Sequence, residues 1–304
     1  MNTGKLIAAV ALLALGACTQ GQGNNPSQES THSAAAASPA TDPGDRVALF
    51  GDLHLHTSYS LDASASRTET LPADAYRYAM GEPITYLGAT IKRRVPLDFL
   101  AVTDHAEYLG NVRLAVQGKL QVPGAGWREL LADLKPGPGM YELMNRTTAG
   151  IRGESTPGLS NPELVRTHWQ DEIDAAERYN RPGRFTAFVA FEYSPTIGRD
   201  HLHRNVIFRG PKYPAMPFGA TDSMQPEALW EYANANRANG IESLMIPHNS
   251  NLSNGRQFAF NDFAGQPMTR EYVANRLRNE PLVEITQNKG TSETLPRLSP
   301  EDEF

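Results

Sequence analysis

The sequence has little cysteine and no concentration of basic residues. Among 304 residues there is one cysteine, Cys18, which excludes an intrachain disulfide and leaves no second thiol to form one. The formal net charge is −6 and lysine and arginine form no run longer than the three residues 92–94, so nothing in the sequence favours nucleic-acid binding. With 40% hydrophobic and 20% charged residues, the composition is that of a globular protein.

A long hydrophobic run is also missing. The apolar run over residues 6–15 follows the basic Lys5 and is too short to span a bilayer as a stable helix, which is typical of a secretory signal. The small residues before Cys18 resemble the lipobox of bacterial lipoproteins, with an ordinary signal peptide as the alternative. We therefore expect a lipoprotein signal peptide over residues 1–18, with membrane contact only through lipidated Cys18. Thr19 resembles the outer-membrane sorting pattern, which places the protein on the periplasmic side of the cell envelope.

The remaining chain divides into a polar tether and a folded region. Residues 19–45 have almost nothing that can bury apolar surface, so they predict a disordered tether before a domain over 46–304. Apolar and amphipathic segments alternate in that domain, which favours an α/β sheet or barrel. Residues 81–94 predict a loop or short hairpin, and residues 118–160 an insertion near the substrate entrance. The predicted strands are 47–50, 97–102, 184–191, 205–208, 243–246 and 282–286, and the predicted helices are 72–80, 161–179, 226–239 and 268–279. Asn161 is the predicted N-cap of its helix, and His168 within that helix is assigned to the surface or to packing.

Titratable residues follow the predicted strands where the strands end. His54 and His56 are one residue apart after the apolar run 47–50, and on an extended strand residues i and i+2 share a face. Two imidazoles that converge on one point suit a metal ion. Other predicted strands end in His105, Glu192 and His248, although a charge at a buried strand end is costly unless it is paired or coordinated. Six of the eight histidines lie near such junctions, which predicts a polynuclear metal site.

These segments resemble the PHP superfamily, named for polymerase and histidinol phosphatase domains. The resemblance rests on residues 52–60 and 99–105, followed by a strand ending in glutamate and a strand bearing histidine. Residues 104–110, 203–208, 246–249 and 287–290 look more narrowly like an exported bacterial branch of uncharacterised function. The resemblance implies a distorted TIM-like (β/α)7 barrel that holds up to three metal ions, usually zinc, manganese or iron. It also implies hydrolysis of phosphoesters.

The resemblance assigns metal ligands residue by residue. His54 and His56 would bind the first metal, and Glu192 would bridge the first and second. His203 and His248 would complete the second site, with His201 as the alternative to His203. Asp62 and His105 would serve the third metal.

Four further residues have less specific assignments. Asp104 would orient His105 or a neighbouring ligand, or else cap the next helix. Arg204 and Lys289 would contact phosphate. Glu284 would face the site or serve a structural role.

One feature of the PHP pattern is missing. No histidine follows His248, so the late Asp-x-His motif of PHP proteins is absent. We therefore expect an N-terminal fragment of a longer protein, with a barrel that is incomplete at its C-terminus.

The function predicted from the sequence is metal-dependent hydrolysis of a small phosphorylated substrate, in which a metal-activated water is the nucleophile. The alternatives are an amidohydrolase that cleaves C–N bonds and a lipid-anchored binding protein without turnover. A bridging carboxylated lysine would be typical of the amidohydrolase, whereas Glu192 stands at the comparable strand end.

Overall fold

The computed structural model describes residues 47–123, 142 and 145–293. The predicted signal peptide, Cys18, the tether and part of the insertion lie outside the described residues, as does the end of the chain. The residues from Ala48 onward belong to one compact unit. None of the described helices is long and apolar enough to cross a membrane.

Two three-stranded sheets support the fold. In the first sheet β4 lies between β1 and β5, and all three strands are parallel. In the second sheet β9 lies between β10 and β6 and runs antiparallel to both. The strands of these sheets are β1 (Gly51–Leu55), β4 (Phe99–Val102), β5 (Thr186–Phe188), β6 (Ala190–Tyr193), β9 (Arg204–Phe208) and β10 (Ser243–Pro247).

Three short hairpins complete the β structure. The first lies within residues 81–94, as predicted, and it turns at Leu87 and Gly88, which both have positive φ. Glycine adopts this left-handed conformation without steric cost, whereas leucine does not. The hairpins are β2 (Ile84–Tyr86) with β3 (Ala89–Ile91), β7 (Thr196–Ile197) with β8 (Asp200–His201), and β11 (Thr286–Gln287) with β12 (Gly290–Thr291).

The four predicted helices begin and end close to the predicted boundaries, whereas the short helices α1 (Leu61–Ala65) and α3 (Asn111–Val116) were not predicted. The side chain of Asn161 caps α4 by accepting a hydrogen bond from the Leu164 amide, as the sequence predicts. Thr269 caps α6 in the same way through the Tyr272 amide. The helices with defined bounds are α1 (Leu61–Ala65), α2 (Pro72–Ala79), α3 (Asn111–Val116), α4 (Pro162–Tyr179), α5 (Pro226–Ala238) and α6 (Arg270–Asn279).

The main core lies where α2, α4 and α5 pack against the sheets. Trp169 of α4 and Trp230 of α5 are fully buried there. Burial of such large apolar side chains supplies most of the driving force for folding. His168, which the sequence assigns to surface or packing, is buried with its ring 4.9 Å from that of Tyr59.

The predicted (β/α)7 barrel is wrong. The described strands form five separate sheets and no closed barrel, and only the β1-β4-β5 sheet is parallel. A parallel connection needs a crossover of a dozen or more residues, usually a helix. Only residues 194–203 separate β6 from β9, and they contain the β7–β8 hairpin, so β9 returns antiparallel.

Three predicted strands are also wrong. Residues 184–191 do not form one strand: they contain β5 and the start of β6, which belong to different sheets. Residues 47–50 are not in a strand, and Val47, Leu49 and Phe50 are exposed; the strand begins at Gly51 instead. Residues 282–285 have no regular structure, and Leu282 is exposed. Residues 47–50 and 282–285 both have the apolar composition of strands, but no neighbouring strand pairs with them in the described chain. Apolar composition alone does not form a strand, because a strand also needs a partner to pair with.

Candidate metal centre

Glu192 lies at the centre of a group of histidines. It is on β6 and its side chain is only 1% exposed. Its Oε1 atom accepts hydrogen bonds from His203 Nδ1 at 2.8 Å, Ser194 Oγ at 2.9 Å and His248 Nε2 at 3.0 Å. These three donors stabilise a buried carboxylate in its ionised form.

The second oxygen of Glu192 faces a different histidine pair. Its Oε2 atom lies 2.7 Å from His56 Nε2 and 3.4 Å from His54 Nε2. Neither approach has the alignment of a hydrogen bond, and both Glu192 Oε2 and His56 Nε2 are buried without a hydrogen-bond partner. A buried polar atom that lacks a partner is costly. The two oxygens of Glu192 therefore face two separate histidine pairs.

A third group surrounds Asp62. The two carboxylate oxygens of Asp62 lie 3.1 Å from His56 Nδ1, and Oδ2 lies 3.8 Å from His105 Nε2. Ser60 Oγ donates to Asp62 Oδ1 at 2.6 Å and fixes the carboxylate against the first turn of α1. His56 thus has one ring nitrogen toward Asp62 and the other toward Glu192.

Glu284 forms a fourth group. Its Oε2 atom accepts a hydrogen bond from His54 Nδ1 at 2.8 Å. The amide of Glu284 also donates to the carbonyl of Pro247, which places the carboxylate beside His248. Of the two roles open for Glu284, the structure selects the one that faces the site.

All seven predicted metal-ligand residues are brought together. They form groups whose ligand atoms lie within 4.8 Å of one another, so the described chain contains buried and half-buried groups that could hold a metal ion. The groups are His54, His56 and Glu192; Glu192, His203 and His248; His56, Asp62 and His105; and His54, His248 and Glu284.

The strand arrangement explains how distant residues meet. Parallel strands β1 and β4 bring His56 and His105 to the same edge, and His105 forms a parallel bridge with Glu192 of β6. Strands β6 and β10 both run opposite to β9. Their C-terminal ends, with Glu192 and His248, therefore meet the N-terminal end of β9, which His203 precedes.

Asp104 does not join the cluster. Its carboxylate accepts hydrogen bonds from the amide and hydroxyl of Thr57, the residue after His56. Asp104 does not cap the next helix, since Gly110 occupies the N-cap of α3. It therefore holds the loop that carries His56, and it is no direct catalytic group.

Arg204 does not join the cluster either. Its guanidinium is buried and donates to Glu280 Oε1 at 2.6 Å, so the predicted phosphate contact is wrong. Adjacent residues of a strand point to opposite faces, so Arg204 points away from the site that His203 enters. His201 stacks on His203 with ring centroids 4.6 Å apart but belongs to none of the candidate groups, so the structure favours His203 of the two.

The histidines differ in protonation. Burial lowers the pKa of His105 to about 4 and also lowers the pKa of His203 and His248, which keeps these rings neutral and able to bind a metal. Burial also opposes protonation of His54, but the nearby Glu192 carboxylate and the hydrogen bond to Glu284 outweigh burial and raise the pKa of His54 to about 9. Without a metal, His54 is therefore protonated at neutral pH.

Ser194 is a residue that the sequence analysis missed. Because its hydroxyl donates to Glu192, it must accept the hydrogen bond from His105 Nδ1 at 2.5 Å. That bond places the proton of His105 on Nδ1 and leaves Nε2 free to face Asp62. Ser194 follows Glu192 by two residues at a strand end, so the period of two could have placed it on the same face.

Glu107 is a second residue that the sequence analysis missed. It is fully buried, and its Oε1 atom accepts hydrogen bonds from the amides of Ser194 and Ala220. These bonds join the end of β6 to the loop before α5 and hold Ser194 in place. Nothing in the local sequence pattern marks Glu107, because its partners are far away in the chain.

The cluster lines one side of a cavity of about 500 Å³. This volume is in the range of small-molecule binding sites. His54, His56, Asp62 and Glu284 line it on one side, and residues 286–289 of the β11–β12 hairpin on another, with Asp52 beside them.

Comparison with known proteins identifies the family. The family model described as "Protein of unknown function (DUF3604)" matches residues 43–304, which is most of the chain, so the chain belongs to this family. No match is found among curated proteins or among solved structures.

Proposed function

We propose that this DUF3604 protein is a metal-dependent hydrolase that cleaves a phosphoester of a small molecule. The observation that carries the proposal is the position of Glu192, whose two carboxylate oxygens face two separate histidine pairs. A carboxylate shared in this way would be suited to hold two metal ions, as in hydrolytic two-metal sites. The resemblance to the PHP superfamily supports the same reaction.

The donor set fits divalent metal ions. Glu192 Oε2, His56 Nε2 and His248 Nδ1 are buried without a hydrogen-bond partner in the described chain, and each can donate a lone pair to a metal. Imidazole and carboxylate ligands without thiolate suit zinc, manganese or iron. We assign His54, His56 and Glu192 to one ion, Glu192, His203 and His248 to a second, and His56, Asp62 and His105 to a third.

Glu284 adds a carboxylate to the first group. The resemblance implies a late Asp-x-His carboxylate for the first metal, and no such motif follows His248. Glu284 supplies a carboxylate beside His54, with its Oε2 atom 2.8 Å from His54 Nδ1. The first group therefore has a carboxylate in reach from within the described chain.

The reaction requires a water and a phosphoester in the cavity. Bound divalent ions would lower the pKa of a water and stabilise the charge on the phosphoryl oxygens. A bond forms between the water oxygen and phosphorus, and the bond from phosphorus to the ester oxygen breaks. The alcohol leaves with a proton, and the other product is phosphate or a phosphate monoester. Ser60, Ser194 and Glu107 hold the ligand side chains in position for this step.

A substrate panel tests the proposal. Phosphomonoesters, phosphodiesters and amides are incubated with the protein in the presence of zinc, manganese or iron(II). We expect phosphate release from an ester that stops when the metal is chelated and is absent in the Glu192→Gln variant. Metal-dependent cleavage of amides without cleavage of esters would instead identify an amidohydrolase. A protein that binds metal but cleaves none of these substrates would contradict the proposal.

A further inference from the structure

The β11–β12 hairpin is fixed at a defined place beside the metal groups. The side-chain amide of Asn251 donates to the carbonyl of Lys289, and the backbone amide of Asn251 donates to Ser292 Oγ, both at 3.3 Å. Asn251 lies in the short 3-10 helix that follows His248. One side of the hairpin is therefore tied to a segment that carries a candidate ligand.

The other side of the hairpin is tied to Glu284. Gln287 Nε2 donates to Glu284 Oε1 at 2.9 Å, while the other oxygen of Glu284 binds His54. The tip of the hairpin, Asn288 and Lys289, lies between these two anchors and lines the cavity. The position of Lys289 is thus coupled to the candidate ligands on both sides.

Lys289 is the one lysine or arginine among the described residues that line the cavity. The acidic lining residues already have partners: Asp62 contacts His56, Glu284 contacts His54, and Asp52 accepts the His54 amide. Within the described chain, Lys289 forms no ion pair. An unpaired ammonium in a small-molecule cavity is complementary to an anionic group of the ligand.

Lys289 shares this cavity with the candidate ligands. His54, His56 and Asp62 line the same space as the tip of the hairpin. The ammonium group of Lys289 therefore lies beside the space in which a substrate would meet the metal ions.

We propose that Lys289 binds a phosphoryl oxygen of the substrate and makes the site selective for phosphate monoesters over diesters. This inference rests on the proposed phosphoesterase function. A monoester dianion has one more non-bridging oxygen and one more negative charge than a diester. A protein cation beside the metal groups stabilises that additional charge, which a diester lacks.

Ligand binding by the metal-loaded protein tests this role without relying on turnover. Titration calorimetry measures the binding of inorganic phosphate and of dimethyl phosphate to the wild type and to Lys289→Met, which removes the charge and keeps most of the side-chain length. We expect phosphate affinity to fall about 10- to 100-fold, the loss typical of one charge-assisted hydrogen bond, and dimethyl phosphate affinity to change little. Lys289→Arg should retain most of the phosphate affinity.

The exposed Lys92 provides a matched control. It directly follows β3 of another hairpin, and Lys92→Met should bind phosphate as the wild type does. Equal metal content in all three variants shows that the cluster is intact. Unchanged phosphate affinity in Lys289→Met, or an equal loss for phosphate and dimethyl phosphate, would overturn the proposal.

Hydrolysis assays separate this inference from the proposed function. If Lys289→Met cleaves monoesters and diesters with wild-type kcat/KM, the phosphoesterase function stands and the role of Lys289 is wrong. If phosphate binding depends on Lys289 but the wild type cleaves no ester, the anion site stands and the hydrolase function is wrong.

Discussion

Two buried charged clusters lie on neighbouring strands, β6 and β9, and they differ in how their polar atoms are satisfied. Glu192 on β6 pairs in register with Asn205, and the next residue, Tyr193, pairs with Arg204. Glu192 and Arg204 are each at most 2% exposed. Burial alone therefore does not distinguish the two clusters.

The Arg204 cluster is satisfied by protein groups. Glu280 accepts hydrogen bonds from Arg204 Nε at 2.6 Å, Trp230 Nε1 at 2.9 Å and Arg276 Nε at 3.0 Å. Gln257 Oε1 accepts a further bond from the Arg204 guanidinium at 3.2 Å. Among the described residues, neither Arg204 nor Glu280 has a buried polar atom without a partner.

The Glu192 cluster leaves polar atoms without partners. Glu192 Oε2, His56 Nε2 and His248 Nδ1 are buried and make no hydrogen bond in the described chain. A native fold rarely leaves several such atoms in one place without a reason, and a bound cation is one that suits this donor set. The comparison shows that the two clusters differ in the balance of donors and acceptors, not in buried charge, and that this balance distinguishes the candidate metal centre.

Among variants that test the difference between the two clusters, we expect the largest effect, on metal affinity, from Glu192→Gln. The amide has one oxygen instead of two and no negative charge, so it cannot bridge two cations. Loss of a residue that only orients a metal ligand typically lowers metal affinity about 10- to 100-fold. Glu192→Gln should lower it by more than that. Inductively coupled plasma mass spectrometry of the purified variant measures the bound metal. Glu280→Gln is the control, and metal loss of the same size in that variant would remove the distinction between the clusters.

The next largest effect concerns stability. Arg204→Met leaves the Glu280 carboxylate buried with fewer cationic partners, and breaking a buried ion pair in this way costs about 3–5 kcal/mol of unfolding free energy. Chemical denaturation measures the loss, and metal content should be unchanged in the folded variant. The double variant Arg204→Met/Glu280→Met removes both charges and should be more stable than Arg204→Met. A small loss of unfolding free energy together with altered metal content in Arg204→Met would contradict the assignment of Arg204 to a structural cluster.

A smaller effect is expected from Ser194→Ala. This change removes the hydroxyl that fixes the proton of His105 and donates to Glu192, so metal affinity should fall about 10- to 100-fold. Competition with a chromogenic chelator measures the affinity. Ser58→Ala is a matched control, because Ser58 is fully buried but its hydroxyl has no hydrogen-bond partner in the described chain. Equal affinities for the two variants would show that Ser194 has no special role.

The smallest effect is a proton released on metal binding. The pKa of His54 is raised from 6.5 to about 9, so without metal the protonated ring stabilises the fold below pH 6.5, and this stabilisation is lost as the pH rises through 9. A metal must displace that proton, so affinity should increase from pH 7 to 9. Calorimetry in buffers of different ionisation enthalpy counts the protons, and His54→Ala should release fewer of them than the wild type. Equal proton release would contradict the assignment of His54.

The ligand residues could be predicted because their signal is local. His54 and His56 are two residues apart at a strand end, and Glu192 and His248 each end an apolar run, which marks all four as candidates. Their meeting at one edge depends on the antiparallel pairing of β6 and β10 with β9, which was not predicted. Asn161 was likewise recognisable as a helix cap from the residues that follow it.

The direction of β9 and the partners of Arg204 could not be predicted from local pattern. The resemblance implied a barrel with parallel strands, whereas the connection of residues 194–203 is too short for a parallel crossover. Arg204 adjoins a ligand in sequence, yet its partner Glu280 lies 76 residues further on. Residues 47–50 were also mispredicted from local pattern. They are apolar but exposed, because apolar composition does not show whether a neighbouring strand is present to pair with.

Metal content per chain tests the central claim most directly. The full-length protein is purified with zinc, manganese or iron in the medium and measured by mass spectrometry, beside Glu192→Gln and Arg204→Met. The account predicts two or three ions per wild-type chain, a loss of metal in Glu192→Gln and wild-type metal content in Arg204→Met. A folded wild type with no more metal than Glu192→Gln would contradict it.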